Sequence, residues 1–423
     1  MDGFAEELRA LMAARGVSGS ELARQVPCDP GLVSRYASGR QRPSARMAAR
    51  FDDVLAAGGR LLAISGEATR RDALKLGLAA SSTPEALSLL LDGAAAEAME
   101  FTRLIGVTAV GHGVLDHLDS VISGISNAYC TEAPGRVFPL AREYRFRVAE
   151  LTAGPCTLRE TQALYVCAAW LSELLAWLAH DLGRPAAAAA YAIDSYEHAE
   201  EAGHGELCAW AADAMCSVAM YSGLPQRAAT AARRGIAAAP PGHPLAIRLR
   251  AQAARAHARL GQREECEQML REAGDLYDRL PARSPMRFAT DTGVLASYAM
   301  TAYPASCYLW LGDYRQAEAH GRLALAAHEA APHASRSPTR EAIARIDLAI
   351  AVTALGEPDE GADLGRAALA SSRVVDSVRS RAGELDAVLA ARYPDHDGAA
   401  GYREMYRSLV SVGTTPGERG ERR

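Results

Sequence analysis

Five arginines, Arg35, Arg40, Arg42, Arg46 and Arg50, fall between Pro30 and Arg50 with no carboxylate among them, in a chain whose formal net charge is −5. A guanidinium is a planar fork of donors that suits phosphate oxygens and the O6/N7 edge of guanine. A charge run alone is more often a solvated face than a binding surface, so its setting decides what it means. The run overlaps Gly16–Pro43, GVSGSELARQVPCDPGLVSRYASGRQRP, which carries the punctuation of two short helices. Ser18 and Glu21 have capping-box spacing, in which each side chain satisfies a backbone N–H of the other. Leu22, Ala23 and Val26 give the first helix one apolar face, and Pro27-Cys28 ends it. Asp29 is placed to cap the second helix, with Pro30 at the first helical position, where a missing N–H costs nothing. Val33 and Tyr36 then point inward, and Gly31, Ser34 and Arg35 outward. Gly39 stops this helix, and Arg40-Gln41-Arg42-Pro43 leads to a third cap at Ser44. Two short helices across a tight turn, the second basic at its exposed edge, suit a unit that reads duplex DNA.

Over roughly residues 4 to 64 the segment resembles the lambda-repressor-like, or XRE-type, helix-turn-helix family. The resemblance rests on ELA at Glu21–Ala23, VSRY at Val33–Tyr36 and SGRQRPS at Ser38–Ser44. Two positions depart from the family pattern: Gly19 stands where a phosphate-gripping glutamine is frequent, and Pro27 replaces the usual turn glycine. The first would weaken one backbone contact and the second would tilt the recognition helix. The resemblance implies that Asp29–Ser38 lies in the major groove of double-stranded DNA, with Arg35 a bidentate guanine reader and Ser34 a less selective one. Pro30 and Gly31 would meet thymine methyls or allow close approach, and Ser38 closes the DNA-facing set. Ser18, Ser20, Arg40 and Arg42 would contact phosphates, which position without reading sequence. The alternative for Arg35 is a surface salt bridge; Val33, Tyr36 and Leu22 are core under either reading. Domains of this kind usually bind as dimers on half-sites about one helical turn apart. A homodimer is therefore expected, its surface supplied by the C-terminal part.

Behind the basic head the composition points to helices. Hydrophobic residues make up 49% of the 423, charged residues 23% and aromatics 6%. Alanine is abundant, and no alternating valine and isoleucine runs mark strands. An apolar helix followed by glycine recurs at Gly183, Gly223, Gly261, Gly312 and Gly356. Seven residues before these stand Ala176, Cys216, Ala254, Ala305 and Ala349; five after stand Ala188, Ala228, Cys266, Ala317 and Gly361; twelve after stand Ser195, Gly235, Ala273, Ala324 and Ala368. Small residues at fixed offsets around a helix-breaking glycine mark where antiparallel helices approach and where one hairpin meets the next. The pattern, best developed in YLWLGDYRQAEAHGRLALAAHEAAP (Tyr308–Pro332), resembles tetratricopeptide repeats over roughly Thr157–Ser372. The uneven glycine spacing makes the repeats degenerate. Pro84–Ala153 reads as three or four further helices. The expected architecture is all-α: a helix-turn-helix domain over 1–64, a linker over 65–84, a solenoid of helical hairpins over 85–410 and a disordered tail over 411–423. An XRE-type head, an RRxxL-like joint at Arg70–Leu74 and a repeat body together look like a large class of actinobacterial regulators.

Arrays of this type carry partners in a groove formed by the first helix of each hairpin. That frame places Trp170, Glu173, Trp177 and His180 in the first unit, Trp210, Asp213, Ser217 and Met220 in the second, and Arg248 and Arg255 in the third. A groove mixing aromatic rings with both signs of charge suits a peptide, a small amphipathic molecule or a partner protein. Equally, these tryptophans are core between hairpins, since tryptophan is highly buried on average.

Catalytic chemistry is not expected. Lys75 is the only lysine and is followed by Leu76, which excludes a P-loop. There is no HExxH, GxSxG or CxxC. His112 with Asp116 and His117, and His198 with His204, are the nearest approaches to a metal set and lack ligand spacing. The eight cysteines read as reduced core residues. No cofactor is expected, no apolar run is long enough to span a membrane, and the charged N-terminus does not resemble a secretory signal, so a cytoplasmic location is expected. Two functional readings remain open. One is a sequence-specific, dimeric transcription regulator whose repeat body dimerises and senses a ligand. The other is a repeat scaffold that recruits a protein and binds DNA weakly and without sequence preference.

Overall fold

The computed structural model describes residues 3–26, 28–57, 60, 61, 64, 110, 112–280, 292–332 and 336–413. Among these are eighteen helices and no strand. The chain forms two compact units, residues 1–98 and 99–423. The expected linker over 65–84 with its Arg70–Lys75 joint, the helices expected over 84–109 and the tail from 414 lie outside the described residues.

In the first unit, α1 spans Gly3–Arg15, α2 Gly19–Gln25, α3 Pro30–Ala37 and α4 Ala45–Val54. Each expected cap residue accepts a backbone N–H, Ser18 from Glu21, Asp29 from Leu32 and Ser44 from Met47, though only the Ser18 half of the expected capping box is seen. A cap of this kind is worth about 1 kcal/mol, which matters for helices of seven and eight residues. Burial of one apolar face does the rest. Leu8, Leu22, Val33, Phe51 and Leu61 are wholly buried together, and Tyr36 meets Phe51 edge-to-face at 6.0 Å.

The second unit holds fourteen of the helices. After α5 (His112–Thr131) and α6 (Pro134–Thr152) come α7 (Leu158–Asp181) and α8 (Pro185–Glu201), α9 (Gly205–Tyr221) and α10 (Pro225–Ala238), and α11 (Leu245–Arg259) and α12 (Arg263–Tyr277). Then follow α13 (Thr292–Trp310) and α14 (Tyr314–Ala330), α15 (Pro338–Leu355) and α16 (Pro358–Leu369), and α17 (Asp376–Arg392) and α18 (Asp397–Gly413). From α7 onward these are consecutive packed hairpins, each antiparallel pair stacking on the next. The last helix runs to Gly413, three residues past the boundary expected at 410, and α17 with α18 adds a pair beyond the expected end of the repeats at Ser372.

The small-residue offsets have the anticipated mechanism. All five turn glycines have positive φ, from 68° to 110°, and all fifteen offset positions are buried. A Cβ on Gly361 would strike the Thr353 hydroxyl and lie 3.0 Å from the Ala349 carbonyl, so the position five after the turn touches the one seven before it. A Cβ on Gly235 would lie 2.8 Å from the Ala212 Cβ and from Leu249 of the next hairpin. Ser195, at the same offset, donates its hydroxyl to the Ala169 carbonyl at 2.8 Å.

The first helices of the hairpins, α7, α9, α11, α13, α15 and α17, touch one another in turn, and α17 returns to α7. Arg373, just before α17, pairs with Asp181 at the end of α7 at 2.9 Å, and its guanidinium lies 4.8 Å from the Tyr129 ring centre of α5. A contact between residues 192 apart in sequence thus closes the inner layer on itself. Among the described residues α7 is the one helix long and apolar enough to cross a membrane; 78% of that window is buried inside the fold.

Five of the eight cysteines are buried as expected, but Cys130 is exposed and Cys28 and Cys156 are only partly covered. His198 lies 3.4 Å from Asp194 and His204 accepts from the Leu207 N–H at the start of α9, so these two rings serve different elements.

Candidate nucleic-acid interface

The sequence of α3 divides its two faces cleanly. Val33 and Tyr36 are buried, while Asp29, Pro30, Gly31, Ser34, Arg35 and Ser38 are exposed. Ser18 and Ser20 at the start of α2, and Arg40 and Arg42 after α3, are exposed as well. The proposed readers and phosphate contacts are therefore all available on the surface of the first unit. The turn between α2 and α3 includes Pro27, which lies outside the described residues.

Among the described residues Arg35 has no ion pair. Its Nε donates to the Gln41 Oε1 at 3.0 Å, which leaves the two terminal amines of the fork for an outside acceptor. Gln41 is itself fixed. The Arg35 carbonyl accepts from the Arg40 and Gln41 N–H groups at 3.0 and 3.2 Å and from the Ser38 hydroxyl at 3.2 Å. Gly39, at φ 70°, makes this return possible, because a left-handed residue lets the chain fold back over the helix end. A Cβ on Gly31, one turn before Arg35, would lie 2.8 Å from Asp29 Oδ1 and in ordinary contact with Arg35 Nη1 at 3.6 Å. Sequence reasoning did not assign Gln41 a role. Its place two residues past the helix-ending glycine was the available signal.

In the second unit, most of the residues placed in the groove from sequence come together on the inner layer. The Trp177 indole donates to Glu173 at 2.7 Å, and Trp177, His180 and Tyr221 follow one another with ring centres 5.9 and 5.1 Å apart. Arg248 Nε donates to Asp213 at 2.8 Å. The Gln252 amide donates to Asp213 and Ser217 at 3.1 and 2.7 Å, and its oxygen accepts from Arg255 Nη1 at 2.7 Å. Two predicted members have their contacts elsewhere, and Trp170 is buried, 3% exposed. Met220 packs with Cys216, Ala219 and Ala228, and Trp210 donates to Glu206 near the start of α9.

The sequence frame missed the far side of this layer. The Arg248 and Arg255 guanidinium carbons lie 5.4 and 4.7 Å from the Tyr303 ring centre, and those of Arg255 and Arg381 lie 5.3 and 5.1 Å from that of Trp310. Arg381 donates through Nε to Asp347 at 2.9 Å and also pairs with Glu384. Burial pushes the Glu173 carboxyl up to about 8, partly opposed by the bond from Trp177. Burial, helped by the Arg255 charge, pushes His180 down to about 4. Burial thus disfavours the charged form of both groups.

The fold and exposed surface of the first unit are those of a DNA-binding helix-turn-helix domain. Residues 4–63 match a family described as a helix-turn-helix domain. No curated protein matches the chain.

Proposed function

We propose that the protein is a sequence-specific transcription regulator of the XRE type that binds double-stranded DNA as a homodimer. The helix-turn-helix unit reads the operator, and the hairpin array, of tetratricopeptide type, joins the two copies and senses a ligand. The observation that carries this reading is the exposed edge of α3. Gly31, Ser34 and Arg35 share that edge, and Arg35 is steadied by Gln41. A guanidinium held in place but not neutralised is suited to a bidentate contact with guanine, worth about 1–3 kcal/mol of discrimination against a wrong base.

A single unit of 60 or so residues offers few base contacts, and pairing two of them multiplies selectivity. Ligand binding on the inner layer would act by favouring one spacing of the two recognition helices over another, which requires different affinity for the two states. The absence of nucleotide, metal and nucleophile motifs in the sequence favours a non-catalytic role. Selection of duplexes from a random pool by the full chain tests the proposal. The expected product is a paired site with half-sites about one helical turn apart. A pool that stays random through successive rounds contradicts it and favours a scaffold that binds DNA through charge alone.

A further inference from the structure

We propose that Arg255 and Arg248 hold the charged group of a small organic anion, whose planar apolar body lies against Trp177, Tyr303 and Trp310. The inference rests on the reading of the second unit as a sensor and gives that sensor its ligand class. Its basis is the charge left over on the inner layer. Arg248 faces Asp213, Arg381 faces Asp347 and Glu384, and Arg259 shares Glu384. Arg255 is 4% exposed, yet it is within ion-pairing distance of no carboxylate among the described residues. Among the described residues its hydrogen bond is from Nη1 to the neutral Gln252. The Glu173 carboxyl does not pair with it and instead accepts from the Trp177 indole at 2.7 Å, and burial disfavours its charged form.

Two ring faces soften this cost without removing it. A cation–π contact is weaker than the penalty for burying an ion without a counter-charge. Two donors also have no acceptor: Arg255 Nε and Arg248 Nη1 are buried without a hydrogen-bond partner. Both guanidinium groups approach the same Tyr303 ring. An oxyanion at that place satisfies both donors and completes the charge balance.

The surroundings set the rest of the ligand. Trp177, Tyr221, Tyr298 and Trp310 are only partly buried, so each keeps ring surface for an apolar body. An extended peptide is a poorer match, because its main chain needs donors and acceptors along its length. The one neutral amide in this cluster, Gln252, already has its N–H groups on Asp213 and Ser217 and its oxygen on Arg255.

The test uses 2-naphthoate as the probe and 2-naphthamide as its uncharged match, titrated calorimetrically into the full chain and into Arg255→Gln and Arg255→Met. The expected result is binding of the anion about tenfold or more tighter than the amide, the scale of one charge-assisted hydrogen bond. That preference should vanish in both variants. Because the unpaired charge destabilises the empty protein, both variants should fold and melt no lower than the wild type. Equal binding of the two probes, a preference that survives Arg255→Gln, or variants that fail to fold would each overturn the site. If the anion binds as expected but leaves DNA affinity unchanged at saturation, the site stands and the sensing reading fails.

Discussion

Replacing Gly235 by alanine is expected to destabilise the solenoid, although alanine is the better helix former. Gly235 lies in α10, twelve residues after the turn at Gly223, where the second helix of one hairpin meets the first helix of the next. An added Cβ would sit 2.8 Å from the Ala212 Cβ and 2.8 and 2.9 Å from the two methyls of Leu249. Carbon atoms rest at about 3.5–4.0 Å, so α10 must move by about 1 Å away from two helices at once. Overpacking of this kind costs about 1–3 kcal/mol, and the intrinsic helix preference returns about 1 kcal/mol. The net expectation is a loss of up to about 2 kcal/mol, a fall of up to about 4 °C in melting midpoint. Gly124→Ala is the control, since Gly124 is inside α5 with nothing within 4 Å of its added Cβ. That variant should gain about 1 kcal/mol from helix preference alone. Thermal melts followed by circular dichroism at 222 nm compare the two. A Gly235→Ala protein at least as stable as Gly124→Ala would refute the close-approach account of the small-residue offsets.

Three other outcomes follow from the same contacts. Asp29→Ala removes the cap of the recognition helix and should speed hydrogen exchange in α3 about fivefold, the equivalent of ~1 kcal/mol; Asp29→Asn, which caps equally well, should leave it unchanged. Glu173→Gln should become more stable relative to the wild type as pH rises from 5.5 to 8. The folded carboxyl titrates near 8 against an ordinary 4.5, so its contribution is full below the unfolded value and is lost through this window; a constant gap between the two melting midpoints speaks against it. Asp347→Asn leaves Arg381, 1% exposed, with Glu384 as its remaining ion pair and should cost about 3 kcal/mol by denaturant titration, while a loss under 1 kcal/mol means the pair is not isolated from water.

Local signals carried much of this fold. Ser18, Asp29 and Ser44 are read as caps because their side chains act on amides three residues away, and such bonds depend on nothing distant. The turn glycines and their small neighbours were legible for a related reason, since each offset describes contacts within one hairpin or with the next. Legibility stopped where contacts became long-range. Arg373 meets Asp181 across 192 residues, and no spacing rule anticipates that closure. Tyr303, Trp310 and Arg381 share the inner layer with Trp177 and Arg255, but uneven repeat lengths hid their register. Trp170 and Met220 sit on a helical stripe facing inward, and helix periodicity alone does not separate an inner surface from the core between neighbouring hairpins. On α3, the exposed set followed from the alternation of Val33 and Tyr36 with Ser34 and Arg35. The grip of Gln41 on Arg35 depended on how the chain folds back after Gly39.

The central claim is that α3 reads sequence through Arg35. Its most direct test is binding of the purified full chain to the DNA upstream of its own gene and to scrambled DNA of equal length, each at 50 and about 200 mM salt, for the wild type and Arg35→Ala. Non-specific binding through phosphates falls by orders of magnitude over such a range. The account predicts a wild-type preference for the upstream DNA that persists at the higher salt and is lost in Arg35→Ala. Equal binding of both DNAs that fades together with salt, or a preference untouched by Arg35→Ala, would contradict it.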